Sequence, residues 1–168
     1  PTGKMNEEGD LEKNIASLKK LAGIAKEYGV TLCCKAHVGA SMFDTDTTLA
    51  AMAAIPDQSF GIDMDPSHIH RAGEKPEEAL PKVISRVRHI HIRDCKGPGP
   101  SPGAPRDQAC GKGDINLQGY FKAMVDAGYK GPVVLEVIGP DQSIEAATAI
   151  SAESYGYMNA CLVALGAR

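Results

Sequence analysis

The sequence predicts an α/β fold, a parallel sheet of about four strands covered by helices. Short strand-like runs recur four times, segments with helical spacing separate them, and glycine, proline or aspartate punctuates the junctions. Each element follows from its own residues. In "DLEKNIASLKKLAGIAKEYG", Leu11, Ile15, Leu18, Ala22 and Ala25 form one helical stripe, with Asp10 as the expected N-cap and Gly29 as the stop. "VTLCCKAH" then reads as a strand, and "DTDTTLAAMAAI" as a helix opened by Asp44, Thr45 and Asp46. "SFGIDMD" is the second strand. "KPEEALPKVIS" is a short helix with Pro76 in its first turn and Pro81 limiting its length. "VRHIHIR" is the third strand, and a long loop follows it. "INLQGYFKAMVDAG" gives a helix closed by Gly128, "GPVVLEVIG" the fourth strand, and "DQSIEAATAISAESYGYMNACLVAL" a final helix or pair of helices.

Composition narrows the class of partner. The 168 residues are 43% hydrophobic and 23% charged, enough apolar material for one globular core. A net charge of −3 gives no general attraction to phosphate backbones or anionic lipid, which points to small solutes and away from nucleic acid and membranes. No apolar run reaches the roughly 18 residues of a bilayer span. The opening "PTGKMNEEGD" has no signal-peptide character, so a cytoplasmic protein is expected. The five cysteines are odd in number and lack C-x-x-C spacing, which favours free thiols.

Strand alternation assigns side-chain direction. With Leu32, Cys34 and Ala36 toward the helices, Cys33, Lys35 and His37 face the opposite side. By the same rule Asp63 and Asp65, then His89, His91 and Arg93, then Val134, Glu136 and Ile138 share that face. Every strand ends in a polar residue. In (β/α) barrels the C-terminal strand ends form the active site, so Lys35 or His37, Asp65, His91 and Glu136 converge. Two carboxylates and an imidazole from three strands suit a divalent ion such as Mn²⁺, Mg²⁺, Co²⁺ or Zn²⁺. An inward aspartate paired with Arg93, and a histidine satisfied in the core, are the plainer alternatives.

"FGIDMDPSHIHRAGEKPEEAL", "VRHIHIRDCKG" and "GYKGPVVLEVIG" resemble the last three strands of the xylose-isomerase-like superfamily of sugar phosphate isomerases and epimerases, which are TIM barrels. That superfamily shows D-x-x-H after one strand, H-x-H-x-x-D at the next and a glutamate ending the last. The resemblance implies that Asp65, His91 and Glu136 are metal ligands and His68 a histidine either behind those ligands or on the substrate side. "GKGDINLQGYFKAMVDAGYKG" is similar to the loop and helix before the family's final strand. The AP-endonuclease branch needs a further Asp-x-His pair that does not follow His91.

The sequence departs from the pattern in two places. Where metal-dependent members end the first of these strands in a ligating, proton-transferring glutamate, this chain has Lys35. The alternatives are that His37 supplies a ligand, that water does, or that Lys35 replaces the metal's charge; a simple pair with Asp63 or Asp65 is equally open. Second, a full barrel needs about 250 residues, and four strands supply half of one. Residues 1–168 are therefore expected to be a single (β/α)4 half barrel, completed by oligomerisation as a homodimer or belonging to a larger barrel.

The loop "CKGPGPSPGAPRDQACGKGD" is expected to lack regular structure and to lie beside the site, either as a lid or as a disordered surface loop. Lys96, Arg106 and Lys112 are candidates for a phosphate or carboxylate, and Gly111 to Asp114 for an anion-binding turn. The resemblance implies a sugar or polyol substrate, a proton moved through a cis-enediolate by Glu136 with Lys35 or His68 as partner, and substrate contacts from His37, Arg93 and Lys96. The products would be those of isomerisation, epimerisation or, as in inosose dehydratase, loss of a β-hydroxyl. A silent sugar-binding or structural barrel is the competing expectation.

Overall fold

The computed structural model describes residues 1–140 and 143–168. Asp141 and Gln142, where the last helix was expected to begin, lie outside the described residues. In chain order the elements are α1 (Asp10–Glu27), β1 (Leu32–Lys35), α2 (Thr45–Ala54), β2 (Phe60–Met64), α3 (Pro66–Arg71), α4 (Pro76–Val83), β3 (Val87–Ile92), α5 (Leu117–Asp126), β4 (Val133–Leu135) and α6 (Ile144–Ala164). The four strands pair in sequence order, β1-β2-β3-β4, and all are parallel. No described helix is long and apolar enough to cross a membrane.

Local chemistry explains most boundaries. At α2, Asp44 accepts the Thr47 N–H at 2.8 Å and Thr47 reaches back, a capping box that fixes the start. Gly9 takes the N-cap position of α1 that was expected of Asp10, because the Asp10 carboxylate is drawn aside to the Lys4 N–H at 2.9 Å and to Lys13 at 3.2 Å. Pro81 lies inside α4 without stopping it at once; the helix ends two residues later and tightens into a 3-10 turn, Ile84–Arg86. The final segment is one helix, with Ser143 capping the Ala146 N–H. Helix α3 was not anticipated. Its signal is "DP": Asp65 caps the Ser67 N–H at 2.9 Å, and Pro66 opens the helix.

The core fills the space between one face of the sheet and the helices. Cys34, Ile62, Met64, Ile90 and Ile92 from the strands meet Leu18, Ala22, Leu80, Leu117 and Phe121. Burying each large apolar side chain contributes about 1.5–3 kcal/mol. At the N-terminal end of the sheet, the Arg86 guanidinium donates to the carbonyls of Ile55 at 2.9 Å, Asp57 at 2.7 Å and Phe60 at 3.0 Å, satisfying strand-entry groups that would otherwise be orphaned. The opposite face of the sheet is more open: Val134 is 43% exposed, and Ile138, just beyond β4, 48%.

Strand β3 carries a bulge. Ile62 pairs with Val87 but Asp63 pairs with His89, so Arg88 is an extra residue. Val87 and Ile90 are both in the core although three residues apart, a spacing that places residues on opposite faces of a regular strand. The Arg88 stem lies over Gly61 on the open face, and any β-carbon at Gly61 would meet it at 2.7 Å.

The loop after β3 is structured and tied down, in contrast to the expected irregular lid. It contains a 3-10 turn, Pro105–Gln108. The buried Asp94 carboxylate accepts the backbone N–H groups of Cys95, Gly111 and Ile115, each at 3.0 Å. The Gln108 side-chain amide donates to the Ile138 carbonyl at 2.6 Å and accepts the Ile138 N–H at 2.9 Å. Arg71 donates to the Pro100 carbonyl at 2.8 Å. The expected anion-binding turn is thus filled by the chain itself: Gly111 N–H binds Asp94, Lys112 N–H the Ala109 carbonyl and Asp114 N–H the Cys95 carbonyl.

Candidate functional site

At the C-terminal strand ends, four charged side chains form a closed ring. The Lys35 ammonium, at the end of β1, lies 3.0 Å from Glu136 Oε2 and 3.4 Å from Asp65 Oδ2. Arg93 Nη2 lies 3.0 Å from the same Asp65 oxygen and 3.2 Å from the same Glu136 oxygen. Each cation therefore bridges both carboxylates. Asp65 and Arg93 are almost fully buried, whereas about a third of the Glu136 side chain is open. The other Asp65 oxygen accepts the Ser67 N–H at 2.9 Å and the Ser67 hydroxyl at 2.7 Å. Burial alone would push the Asp65 carboxyl up. Arg93, Lys35 and the Ser67 hydrogen bonds outweigh that and hold it below the ordinary range.

His68 stands behind this ring on α3. Its Nδ1 receives the Val38 N–H at 3.2 Å and faces Arg71 Nη2 at 2.6 Å, while Nε2 is 3.0 Å from Arg93 Nη2. Burial, reinforced by the neighbouring Arg71 and Arg93 against the pull of Asp65, lowers its pKa to about 3, so the ring is neutral at physiological pH. His37 is exposed; its Nδ1 contacts the Val38 carbonyl at 2.8 Å, and its ring stacks on His68 at 4.0 Å.

His91 is not part of the ring. Its Nδ1 is 2.7 Å from Asp63 Oδ2, and the neighbouring His89 Nδ1 is 2.9 Å from Asp63 Oδ1. Lys96 points away, 3.8 Å from Asp114 at the surface, and Arg106 pairs with Glu153 at 2.7 Å. Of the residues assigned from the sequence, the fold therefore assembles Lys35, Asp65, Arg93, Glu136 and His68 in one place, with His37 stacked alongside. It associates His91 with a second cluster and leaves Lys96 outside.

The metal set implied by the resemblance was Asp65, His91 and Glu136. It does not fit a divalent ion in this arrangement: the two carboxylate oxygens that face each other already hold an ammonium and a guanidinium, and the imidazole is engaged elsewhere. Among the described residues, the group with metal-ligand spacing is Asp63, His89 and His91, whose ligand atoms lie within 4.8 Å of one another. Sequence reasoning placed Asp63 and His89 on the correct face, offered Asp63 only as an alternative partner of Lys35 and gave His89 no role. Ser67, Arg71, Asp94 and Gln108 were missed; the "DPS" cap and the H-x-H-x-x-D aspartate were their available signals.

Comparison with known proteins agrees with the fold. The model of the xylose isomerase-like TIM barrel family matches residues 2–161. Inosose dehydratase of Clostridium perfringens is 27% identical over 145 residues, covering 79% of this chain and 48% of the relative. That of Geobacillus thermodenitrificans is 26% identical over 142 residues, 77% of this chain and 47% of the relative. The chain spans about half the length of the curated relatives it matches. Among solved structures, the IOLI protein with a bound zinc atom superposes with a TM-score of 0.78 at 18% identity, covering 94% of this chain and 60% of that one. A D-tagatose 3-epimerase-like protein gives 0.74 at 20% identity, covering 92% and 57%. A parallel β/α sheet with its charged residues gathered at the C-terminal strand ends, matched by the family model over nearly its whole length, makes this chain a member of the xylose isomerase-like TIM barrel family.

Proposed function

We propose that this chain is the C-terminal half of a barrel that isomerises, epimerises or dehydrates a small sugar or polyol by moving a proton on the carbon beside a carbonyl. The observation that carries the reading is the ring of Lys35, Asp65, Arg93 and Glu136, in which the residues assigned to proton transfer and charge stabilisation meet at the strand ends. Glu136 is the carboxylate open to a solute and takes the proton. Lys35 supplies positive charge at the carbonyl oxygen as the enediolate forms and returns a proton to it. Arg93 is buried and supports the ring, holding both carboxylates in place. His68, neutral and accepting at Nδ1 from Val38 and Arg71, carries its proton on Nε2 and packs against the Arg93 guanidinium. The inosose dehydratase relatives support a polyol-derived ketone as substrate and water loss as the outcome. The open sheet face supports closure of the barrel by four further strands, from a second copy or from the rest of a longer barrel.

The test is NMR-detected deuterium incorporation from D₂O into inososes and ketoses. Exchange beside the carbonyl, lost in Glu136→Gln and Lys35→Met, is expected. Saturable binding of the same compounds with no exchange would replace the proposal by a sugar-binding module, a reading favoured by the internal neutralisation of both carboxylates.

A further inference from the structure

Asp63 stands apart from the charged ring, with Lys35 approaching it only to 4.0 Å. Its two oxygens are divided between two imidazoles, 2.9 Å to His89 Nδ1 and 2.7 Å to His91 Nδ1. Residues two apart on a strand are spaced by about 7 Å. The two ring centroids nevertheless approach to 4.6 Å, so both rings lean onto one carboxylate. The β3 bulge makes this possible. In an unbroken ladder continuing from the Ile62–Val87 pair, Asp63 would face Arg88, and His89 and His91 would point into the helix layer. One extra residue reverses that parity and sets both imidazoles beside Asp63. Bulges that re-aim side chains in this way concentrate near functional sites.

Asp63 is buried, and both imidazoles remain partly open on the face of the sheet away from the helices. Two imidazoles and a carboxylate on one side of a point, with the other side accessible, match the donor set of borderline divalent ions that keep positions for solvent or substrate. Ligand atoms about 2.0–2.1 Å from a tetrahedral zinc lie about 3.3 Å apart. The two Asp63–imidazole contacts, 2.9 and 2.7 Å, open by about half an ångström to reach that spacing, while the ligand atoms, now within 4.8 Å of one another, draw together around the ion. In a neutral ring the Nδ1 proton moves to Nε2 when Nδ1 binds metal, so each imidazole keeps its charge.

We propose that Asp63, His89 and His91 form a divalent-cation site, with zinc or cobalt as the best-suited ion, one pleat below the ring whose cationic position Lys35 occupies. His91 is common to this set and to the one implied by the resemblance; Asp63 and His89 belong to this set alone. The site does not depend on the proposed reaction, because binding is measured without substrate.

The test is calorimetric titration of the chelator-treated protein with Zn²⁺, paralleled by the visible spectrum of the Co²⁺ form. One ion per chain is expected. His89→Ala, His89→Gln and Asp63→Asn should each weaken binding at least tenfold, Glu136→Gln should change it less than twofold, and Lys35→Met should tighten it by removing a nearby positive charge. His89→Gln retains a donor toward Asp63, so its circular dichroism separates loss of a ligand from loss of the fold. No saturable binding by the parent protein, binding indifferent to His89, or binding lost in Glu136→Gln would each overturn the proposal. Failure of deuterium exchange leaves it standing.

Discussion

Replacing Lys35 by glutamate, the residue that metal-dependent members carry at this strand end, puts the charge ring to a direct test. The substitution removes one of two cations bridging Asp65 and Glu136 and adds a third carboxylate, leaving Arg93 to face them all. Stripping a buried charge of its partner costs about 3–5 kcal/mol. Asp65 keeps Arg93 and Ser67 and Glu136 keeps contact with water, which sets the expected loss near the lower bound, about 3 kcal/mol. With a urea dependence of about 2 kcal/mol per molar, the unfolding midpoint in chelator falls by about 1.5 M. Three carboxylates around one point then form an oxygen-rich site. A divalent ion at a hundredfold excess over its dissociation constant returns about 2.7 kcal/mol. The measurement is urea unfolding by circular dichroism with chelator and with Mn²⁺ or Zn²⁺, in a His89→Gln background so that the Asp63 cluster does not contribute. A midpoint equal to that of the background in chelator, or one indifferent to metal, would refute the assignment of Lys35 as the resident cation.

Acid should destabilise the protein in two stages of the same sign. Below pH 6.5 the unfolded chain protonates His68 while the folded chain does not until about pH 3, so stability falls by up to about 1.4 kcal/mol per pH unit across that window. Asp65, depressed below 3.8 when folded, adds a second loss below that value. His68→Gln removes the first stage, and equal slopes for parent and variant between pH 6.5 and 4.5 would contradict it. Gly113→Ala places a β-carbon 2.2 Å from the Asp94 carboxylate and 2.3 Å from the Cys95 carbonyl, and should cost more than about 2 kcal/mol. Gly23→Ala, in α1 with nothing within 4 Å, should instead stabilise by about 0.5–1 kcal/mol, as urea midpoints will report. Closure by a second copy predicts twice the 17.7 kDa chain mass in light scattering, and a monomer at every concentration would reject it.

The sheet and its helices were readable because apolar alternation and helical spacing are local. Ile62, Met64, Ile90 and Ile92 declare the core face, and their neighbours declare the other. Which inward residues touch was not readable, because contact depends on register. The bulge opposite Ile62 and Asp63 decides that His89 and His91 share the face of Asp63, and nothing in "VRHIHIR" announces one extra residue; His91 then leans back to Asp63 although its backbone follows the Met64–Ile90 pair, level with Asp65. Long side chains added a second difficulty. Lys35 and Arg93 reach across strands to carboxylates on β4 and at the start of α3, so the departure from the family pattern was visible as a letter but its partners were not. The loop of glycines and prolines was misjudged for a related reason: its order comes from Asp94, which reaches 17 and 21 residues along the chain, and Gln108, which reaches 30, through backbone groups that any sequence possesses.

The Gln108 amide joins the two connections that leave β3 and β4. By meeting both the N–H and the carbonyl of Ile138, it imitates the edge of a neighbouring strand and prolongs the sheet past the last residue of β4. Gln108, on the connection leaving β3, is thereby fastened to Ile138, just past β4. Motion of the one must carry the other or break that bridge, and amide exchange at Ile138 will rise and fall with that of the Pro105–Gln108 turn.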